Sequence, residues 1–324
     1  MGAKVRGLSR TTIFLQFLQK VIAEESDNVY ICMTNNLLML TKPNNPWVGI
    51  DWDHTIASCD LNCRIQIGKE TFYFGSEEYV KFINRNDEKS AAKVGLSFDC
   101  LPEPFSGDIN SEVYCLNMNP GAPDRDFTRG ADHNGDYVHQ AQEILMHNLK
   151  NHYFDDMVVD GDGIRKNPEK YRECLNNIFS GKNLKEYKNN RAAFSPRPHD
   201  GAVWQREMWG PMMKAIGRMP NVFYIEYFPY HSTGGFDFPD LPSYKYSNWL
   251  VKKAMQDHKF IIIMRKEELW YKRIEGLKDY ENKLFLRNKR RVWLSPGNLC
   301  HAGENSCEIP EWARLTTEDI LKKM

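Results

Sequence analysis

The stretch Glu112-Val113-Tyr114-Cys115-Leu116-Asn117-Met118-Asn119-Pro120-Gly121-Ala122-Pro123 decides how the rest of the chain is read. Val113 to Leu116 are apolar without alternation, which reads as a short strand buried on both faces. Asparagines, proline and glycine follow at once, the residues that end a strand in a tight loop. Three more segments repeat the pattern downstream: Asn221-Val222-Phe223-Tyr224-Ile225, Phe260-Ile261-Ile262-Ile263-Met264 and Arg291-Val292-Trp293-Leu294. Helical patterns lie between or beside them, at Pro168 to Phe179, Val203 to Met219, Tyr244 to His258 and Lys266 to Asp279.

Strands that alternate with helices predict an α/β fold. The expectation is a three-layer α/β/α domain over residues 101–324, built on a central four-stranded parallel sheet. Ligands of such sheets bind beyond the carboxyl ends of the strands. The segments to inspect are therefore Asn117 to Pro123, Glu226-Tyr227-Phe228-Pro229-Tyr230-His231-Ser232, Arg265 to Glu268, and Ser295-Pro296-Gly297-Asn298.

Residues 1–100 read differently, as a small N-terminal α+β region. Ile13, Phe14, Phe17, Leu18, Val21 and Ile22 fall on one face of an amphipathic helix. Short β-like runs follow at Val29 to Met33, Trp47 to Ile50, Arg64 to Ile67 and Thr71 to Phe74. A polar stretch from Asn84 to Lys93 leads to the Pro/Gly-rich Leu101-Pro102-Glu103-Pro104-Phe105-Ser106-Gly107, which reads as a linker or a rigid entry loop.

Composition narrows the class. The 324 residues are 41% hydrophobic and 27% charged, which suits a globular chain and not a disordered one. Forty-three basic residues balance 43 acidic ones, so no global field draws the molecule to a polyanion. No stretch approaches the roughly 18 apolar residues of a membrane span. Lys4, Arg6 and Arg10 precede an apolar run, but Gln16, Gln19 and Lys20 interrupt it, so a cytoplasmic protein without membrane attachment is expected. The eight cysteines are scattered, unlike a secreted disulfide scaffold. Cys59 and Cys63 near His54, with Cys300, His301 and Cys307, are the one grouping suggestive of a metal, although they lack tight ligand spacing. No metal or cofactor is therefore read into the chain.

From Leu101 to Cys300 the sequence resembles the uracil-DNA glycosylase superfamily. Leu116-Asn117-Met118-Asn119-Pro120-Gly121 is similar to the first motif of that family in the Asn-Pro-Gly form of its mismatch-specific branch. The resemblance implies that Asn119 positions the attacking water. Val222 to Glu226 is similar to the strand whose end reads the base edge, and Ile261 to Met264 to the strand after it. Trp293-Leu294-Ser295-Pro296-Gly297 stands where the family carries His-Pro-Ser-Pro or a relative, which implies that Ser295 and Pro296 press on the nucleic acid. The sequence departs from the pattern three times, first in carrying Asn119 where the most efficient branch has an acidic residue. Trp293 replaces the motif histidine, and Glu226 stands where the family usually has asparagine.

Hydrolysis of a base–sugar bond needs a positioned water, a pocket for an extruded nucleotide and partners for the departing base. Asn119 would orient water through its carbonyl but is no strong base. Met118, Pro120 and Gly121 would line the pocket, and Phe127 or Tyr137 would stack on a base. An ionised Glu226 accepts hydrogen bonds and donates none, which would disfavour the carbonyl oxygens of uracil. Alternatively Glu226 pairs with a surface cation. Lys289, Arg290 and Arg291, in the basic run from Lys283, would neutralise phosphates, so DNA of modest affinity is the expected partner and DNA repair the expected setting. His231-Ser232 and Arg197-Pro198-His199-Asp200 add hydrogen-bonding groups without an assigned role.

Two other functions compete. Val48-Gly49-Ile50-Asp51-Trp52-Asp53-His54-Thr55 reads like the strand-end signature of haloacid-dehalogenase-like phosphohydrolases. Asp51 and Asp53 would then serve with Mg²⁺, and Asp160-Gly161-Asp162-Gly163 would supply a second acidic pair. The other is a non-catalytic module that binds nucleic acid or protein on the same fold.

Overall fold

The computed structural model of the protein describes residues 41–50, 55–87, 94–111, 113–121, 136–152, 157–160, 163–216, 221–234, 238–288, 290, 292–295 and 297–301. The chain divides into two units, Met1–Thr41 and Lys42–Met324, and every element described belongs to the second. The helix expected at residues 13–22 and the strand expected at 29–33 lie outside the described residues, as do Asp51, Asp53, Phe127, Lys289, Arg291, Pro296 and Cys307.

The protein is α/β, and its largest sheet is mixed and mostly parallel. The central strands are β4 (Val113–Asn117), β8 (Val222–Glu226), β9 (Phe260–Ile263) and β10 (Lys283–Leu286). Spatially they run β10-β9-β4-β8, each pair parallel. Short antiparallel strands flank them, β3 (Phe105–Ser106) beside β8 and β11 (Leu299–His301) beside β10.

Why these strands read as unbroken apolar runs is visible in their packing. Successive side chains point to opposite faces of a strand. Tyr114, Leu116, Phe223, Ile225, Ile261 and Ile263 share one core with Leu250, Val251 and Ala254 of α7 (Tyr244–Gln256) and with Trp270 of α8 (Glu267–Arg273). Their neighbours Val113, Cys115, Val222, Tyr224 and Ile262 belong to a second core with Met208, Trp209 and Met212 of α6 (Asp200–Ile216). With both faces covered, neither set of positions tolerates a polar residue.

The part of the N-terminal region that is described joins the first of these cores. β1 (Arg64–Ile67) and β2 (Glu70–Tyr73) form a hairpin. Phe72 and Phe74 pack with Trp47, Tyr79 and Phe228 in the cluster that holds Phe223. Helices α1 (Ser58–Leu61) and α2 (Glu77–Asp87) flank the hairpin in sequence.

Several expectations are corrected. The fourth parallel strand is Lys283–Leu286, and the segment Val292 to Ser295 is not a strand. Leu294 donates its backbone N–H to the Met208 carbonyl of α6 instead of to a sheet neighbour. The basic run had hidden β10. Lys283 is fully buried because its ammonium donates to the Leu277 carbonyl at 3.0 Å and to the Lys278 carbonyl. Trp47 to Ile50 forms a turn, with Gly49 at φ +85°, a left-handed conformation that glycine adopts without a side-chain clash. The helix expected from Lys266 to Asp279 stops at Arg273, and Gly276 at φ +81° starts a separate turn. Asp160 and Gly163 pair across the hairpin of β5 (Met157–Asp160) and β6 (Gly163–Lys166), and Asp162 lies outside the described residues. Helix α3 (Asp136–Asn151) was not anticipated.

Candidate functional site

Strand order alone points to one sheet edge. From β4 the chain passes to β8 on one side, then crosses back to β9 on the other. Such a reversal opens a crevice outside the carboxyl ends of the strands, where doubly wound proteins hold their ligands. Here that edge carries Asn117 at the end of β4 and Glu226 at the end of β8, in direct register across the parallel pair.

Beyond the sheet the two strand-end loops continue side by side. Tyr227 N–H donates to the Asn117 carbonyl at 3.2 Å, Phe228 to Met118 at 2.8 Å and Ser232 to Pro120 at 3.3 Å. A third segment closes the group: Glu226 N–H donates to the Pro104 carbonyl and Glu103 N–H to the Pro229 carbonyl, both at 2.9 Å. On the far side Trp270 of α8 donates its indole N–H to the Asn117 carbonyl. The Asn-Pro-Gly loop is thus clamped by backbone bonds on one flank and an indole on the other, and does not depend on its own turn for shape.

Asn119 is half-buried, and its side-chain amide nitrogen donates to three acceptors. Nδ2 donates to Ser232 Oγ at 2.8 Å, to the Pro120 carbonyl at 2.9 Å and to the Ser232 carbonyl at 3.3 Å. With Nδ2 so engaged, the group left for a water or ligand is the carbonyl oxygen, an acceptor. Met118 is half-buried and Pro120 buried, whereas Gly121 is exposed and a methyl at its Cα would meet nothing within 4 Å.

The carboxyl of Glu226 departs from the sequence expectation. Its Oε1 accepts from Asn117 Nδ2 at 2.9 Å, and its Oε2 is buried with no hydrogen-bond partner among the described residues. Among the described residues it makes no ion pair with a cation. Burial raises its pKa, the bond from Asn117 offsets part of that rise, and the nearby Glu103 charge adds to it, for a value of about 8. Burial and the Glu103 charge both favour the protonated carboxyl over the ionised, acceptor-only form expected from the sequence.

Glu103 takes the opposite course. Burial would raise its pKa, but His231 at 3.4 Å and then His199 at 3.8 Å hold it down to about 2. His231 is disfavoured as a cation by burial, yet Glu103 and the Gly121 carbonyl, 3.0 Å from Nδ1, keep its pKa above the ordinary histidine value. His199 accepts the Gly201 N–H on Nδ1 at the start of α6, which turns Nε2 towards Glu103. A Glu103–His231 contact, its imidazole buried and its carboxylate half-buried, therefore sits beside Glu226, whose carboxyl burial pushes towards the neutral form. Two carboxyls with pKa values pushed apart are the usual mark of divided acid and base roles.

The structure brings some of the expected residues together and leaves others apart. Asn119, Met118, Pro120, Gly121 and Glu226 gather at one strand-end edge with Asn117, Glu103, His231 and Ser232. Ser295 lies in the loop from β10 to β11, where its carbonyl accepts from Asn298 and Leu299. This loop leaves and re-enters the sheet at the same edge, two strands and about 10 Å from β4. Arg287 and Arg290 are exposed in it. Glu103 carried no functional assignment because its flanking prolines read as a linker; its one signal was a lone acid in an otherwise apolar turn.

Cys59 and Cys63 are free thiols, and burial raises the Cys59 pKa to about 11. Among the described residues no group of three or more His, Cys, Asp or Glu could hold a metal ion, and no helix is long and apolar enough to cross a membrane. Comparison of the chain with protein-family models, with curated proteins and with solved structures found no match.

Proposed function

We propose that the protein is a diverged uracil-DNA-glycosylase-like N-glycosidase on a three-layer α/β/α fold, hydrolysing a base–sugar bond in nucleic acid. One observation carries the reading. The Asn-Pro-Gly loop after β4 and Glu226 at the end of β8 are held side by side where the strand order of the mostly parallel sheet reverses. In this reading Asn119 holds the attacking water on its carbonyl oxygen while Ser232 fixes the amide. Met118, Pro120 and Gly121 form the wall against which an extruded nucleotide rests, and open space at Gly121 leaves room for it. Glu226 faces the base side. Arg287 and Arg290, with Lys289, Arg291 and Ser295 of the same loop, would meet DNA phosphates, so affinity should fall as salt rises.

The test is release of a base from oligonucleotides that carry uracil, hypoxanthine, xanthine or a mismatch, read as alkali-labile breaks. Asn119→Ala should lower release about 100-fold, the scale of losing one positioned reactant, while leaving the fold intact. Equal release by the variant would remove Asn119 from the chemistry. Binding without release by the native protein would favour a non-catalytic module at the same edge.

A further inference from the structure

Trp47, Trp209 and Trp270 are fully buried, whereas Trp204 of α6 is 41% exposed and Trp293, between β10 and β11, is 46% exposed. A lone apolar side chain on a surface is ordinary, but two rings of this size on one flank call for a reason. The backbone brings them together. Leu294 donates its N–H to the Met208 carbonyl at 2.9 Å, and Trp204 stands one helical turn before Met208. Trp293 adjoins Leu294, so the two Cα atoms lie within roughly 17 Å of each other. Both residues are held in place. The Trp204 ring rests against Tyr224 of β8, with centroids 6.3 Å apart and planes at 60°. The Trp293 carbonyl accepts from Asn298 Nδ2 at 2.7 Å, and Asn298 in turn accepts the backbone N–H groups of Arg287 and Asn288, both at 2.9 Å. Charge on this flank has one sign. Arg287 and Arg290 are exposed in the same loop and make no ion pair among the described residues. The two acids of α6 are already committed, Asp200 to Arg191 and Glu207 to Lys188.

We infer that Trp204 and Trp293, with Arg287 and Arg290 beside them, form a stacking platform for an unpaired nucleic-acid strand on the flank of the sheet that α6 covers. An aromatic face takes any unpaired base, and arginines neutralise the phosphates that run past it. The span fits, since a strand of about five stacked nucleotides at roughly 3.4 Å each covers the distance between the two tryptophans. A duplex hides its base faces and offers only phosphates, so the platform selects single strands. This surface is separate from the Asn-Pro-Gly edge, and it goes beyond base release because it fixes the strandedness of the bound nucleic acid. A protein that releases no base still binds here.

The experiment uses the full chain and three fluorescent probes of about twelve nucleotides: a thymidine oligomer, an abasic oligomer with the same phosphates and no bases, and a duplex. Anisotropy should show the thymidine oligomer bound at least tenfold more tightly than either of the others. Trp204→Ala and Trp293→Ala should each weaken thymidine binding about tenfold and leave abasic binding as it was. Replacing Arg287 and Arg290 together by Ala should instead weaken all three probes and lower the slope of log affinity against log salt by about 1.4 for the single strands. Should an Ala variant unfold, Trp204→Phe and Trp293→Phe decide the case. Each should keep most of the affinity and lose its share of the quenching of tryptophan emission that the thymidine oligomer produces. Equal binding of the thymidine and abasic oligomers, a duplex bound as tightly as the single strand, or full quenching in both Phe variants would overturn the inference. Release of base from uracil-bearing oligonucleotides is followed in parallel. Stacking without release would sink the glycosidase reading and leave the platform standing; release with no contribution from either tryptophan would do the reverse.

Discussion

Ser232 Oγ lies 2.8 Å from Asn119 Nδ2, a bond between residues 113 positions apart that fixes the amide on which the Asn-Pro-Gly loop turns. The hydroxyl has a second contact of its own, the Gly234 carbonyl at 3.3 Å, so it reaches both loop and loop base.

Ser232→Ala should loosen the Asn119 amide, leaving it only its bonds to the Pro120 and Ser232 carbonyls. Loss of one neutral hydrogen bond is worth about 1 kcal/mol, so base release should slow by about fivefold to tenfold. The slowing should appear in kcat more than in KM, because the water and not the nucleotide is displaced. An effect confined to KM would show that the bond serves binding.

Stability should depend on pH through the crevice carboxyls and His231. Glu103, held at about 2 against 4.5 unfolded, stabilises above pH 4.5 and loses that contribution as pH falls towards 2. His231, raised above 6.5, stabilises below pH 6.5 and loses its contribution as pH rises through its folded value. Glu226, raised from 4.5 to about 8, likewise favours the folded state most below pH 4.5 and is lost as pH climbs to 8. Thermal melting should therefore peak between pH 4.5 and 6.5 and decline towards pH 8. Glu226→Gln should flatten the alkaline decline, and each kcal/mol recovered should appear as about 2–4 °C in a chain of this size. An unchanged alkaline limb would show that Glu226 ionises freely in the fold.

Asp60 is fully buried and accepts from Tyr230 Oη at 2.7 Å and from Ser243 N–H at 2.9 Å. It ties α1 to the segment that carries His231. Asp60→Ala would strand both donors, at about 1–3 kcal/mol each, and should lower the urea midpoint accordingly. Asp60→Asn, which can still accept, should cost less. Equal losses would show that packing and not hydrogen bonding holds this joint.

Arg273 is stacked between two rings, 3.1 Å from the Tyr227 centroid and 3.6 Å from that of Tyr244, and donates to the Tyr227 carbonyl at 2.6 Å. Arg273→Lys keeps the charge but loses the flat guanidinium, so it should destabilise by about 1–2 kcal/mol in chemical denaturation. A neutral effect would mean that charge alone suffices there.

Three of the four parallel strands were legible because burial on both faces leaves an unbroken apolar run, as at Val113 to Leu116. β10 was not, since Lys283 opens it and Arg287 follows it; the carbonyls that satisfy the buried ammonium come from a separate turn. Trp47 to Ile50 has the composition of a strand, but Gly49 bends the chain, and composition does not record the sign of φ. In the site, Asn119 and Glu226 were visible as polar residues after strands. The partners that define them were not: Asn117 is 109 positions from Glu226, and Glu103 reaches the crevice through backbone pairing with Pro229. Whether a glutamate holds its proton depends on such long-range neighbours.

The parallel strands end laterally in very short antiparallel pieces, Phe105–Ser106 on one flank and Leu299–His301 on the other. An exposed rim of parallel strand would offer a row of unmatched amides to any passing chain, a route to aggregation. Stopping the chain before Leu299 would uncover the outer side of Lys283–Leu286, and the shortened protein should self-associate even where its crevice is intact.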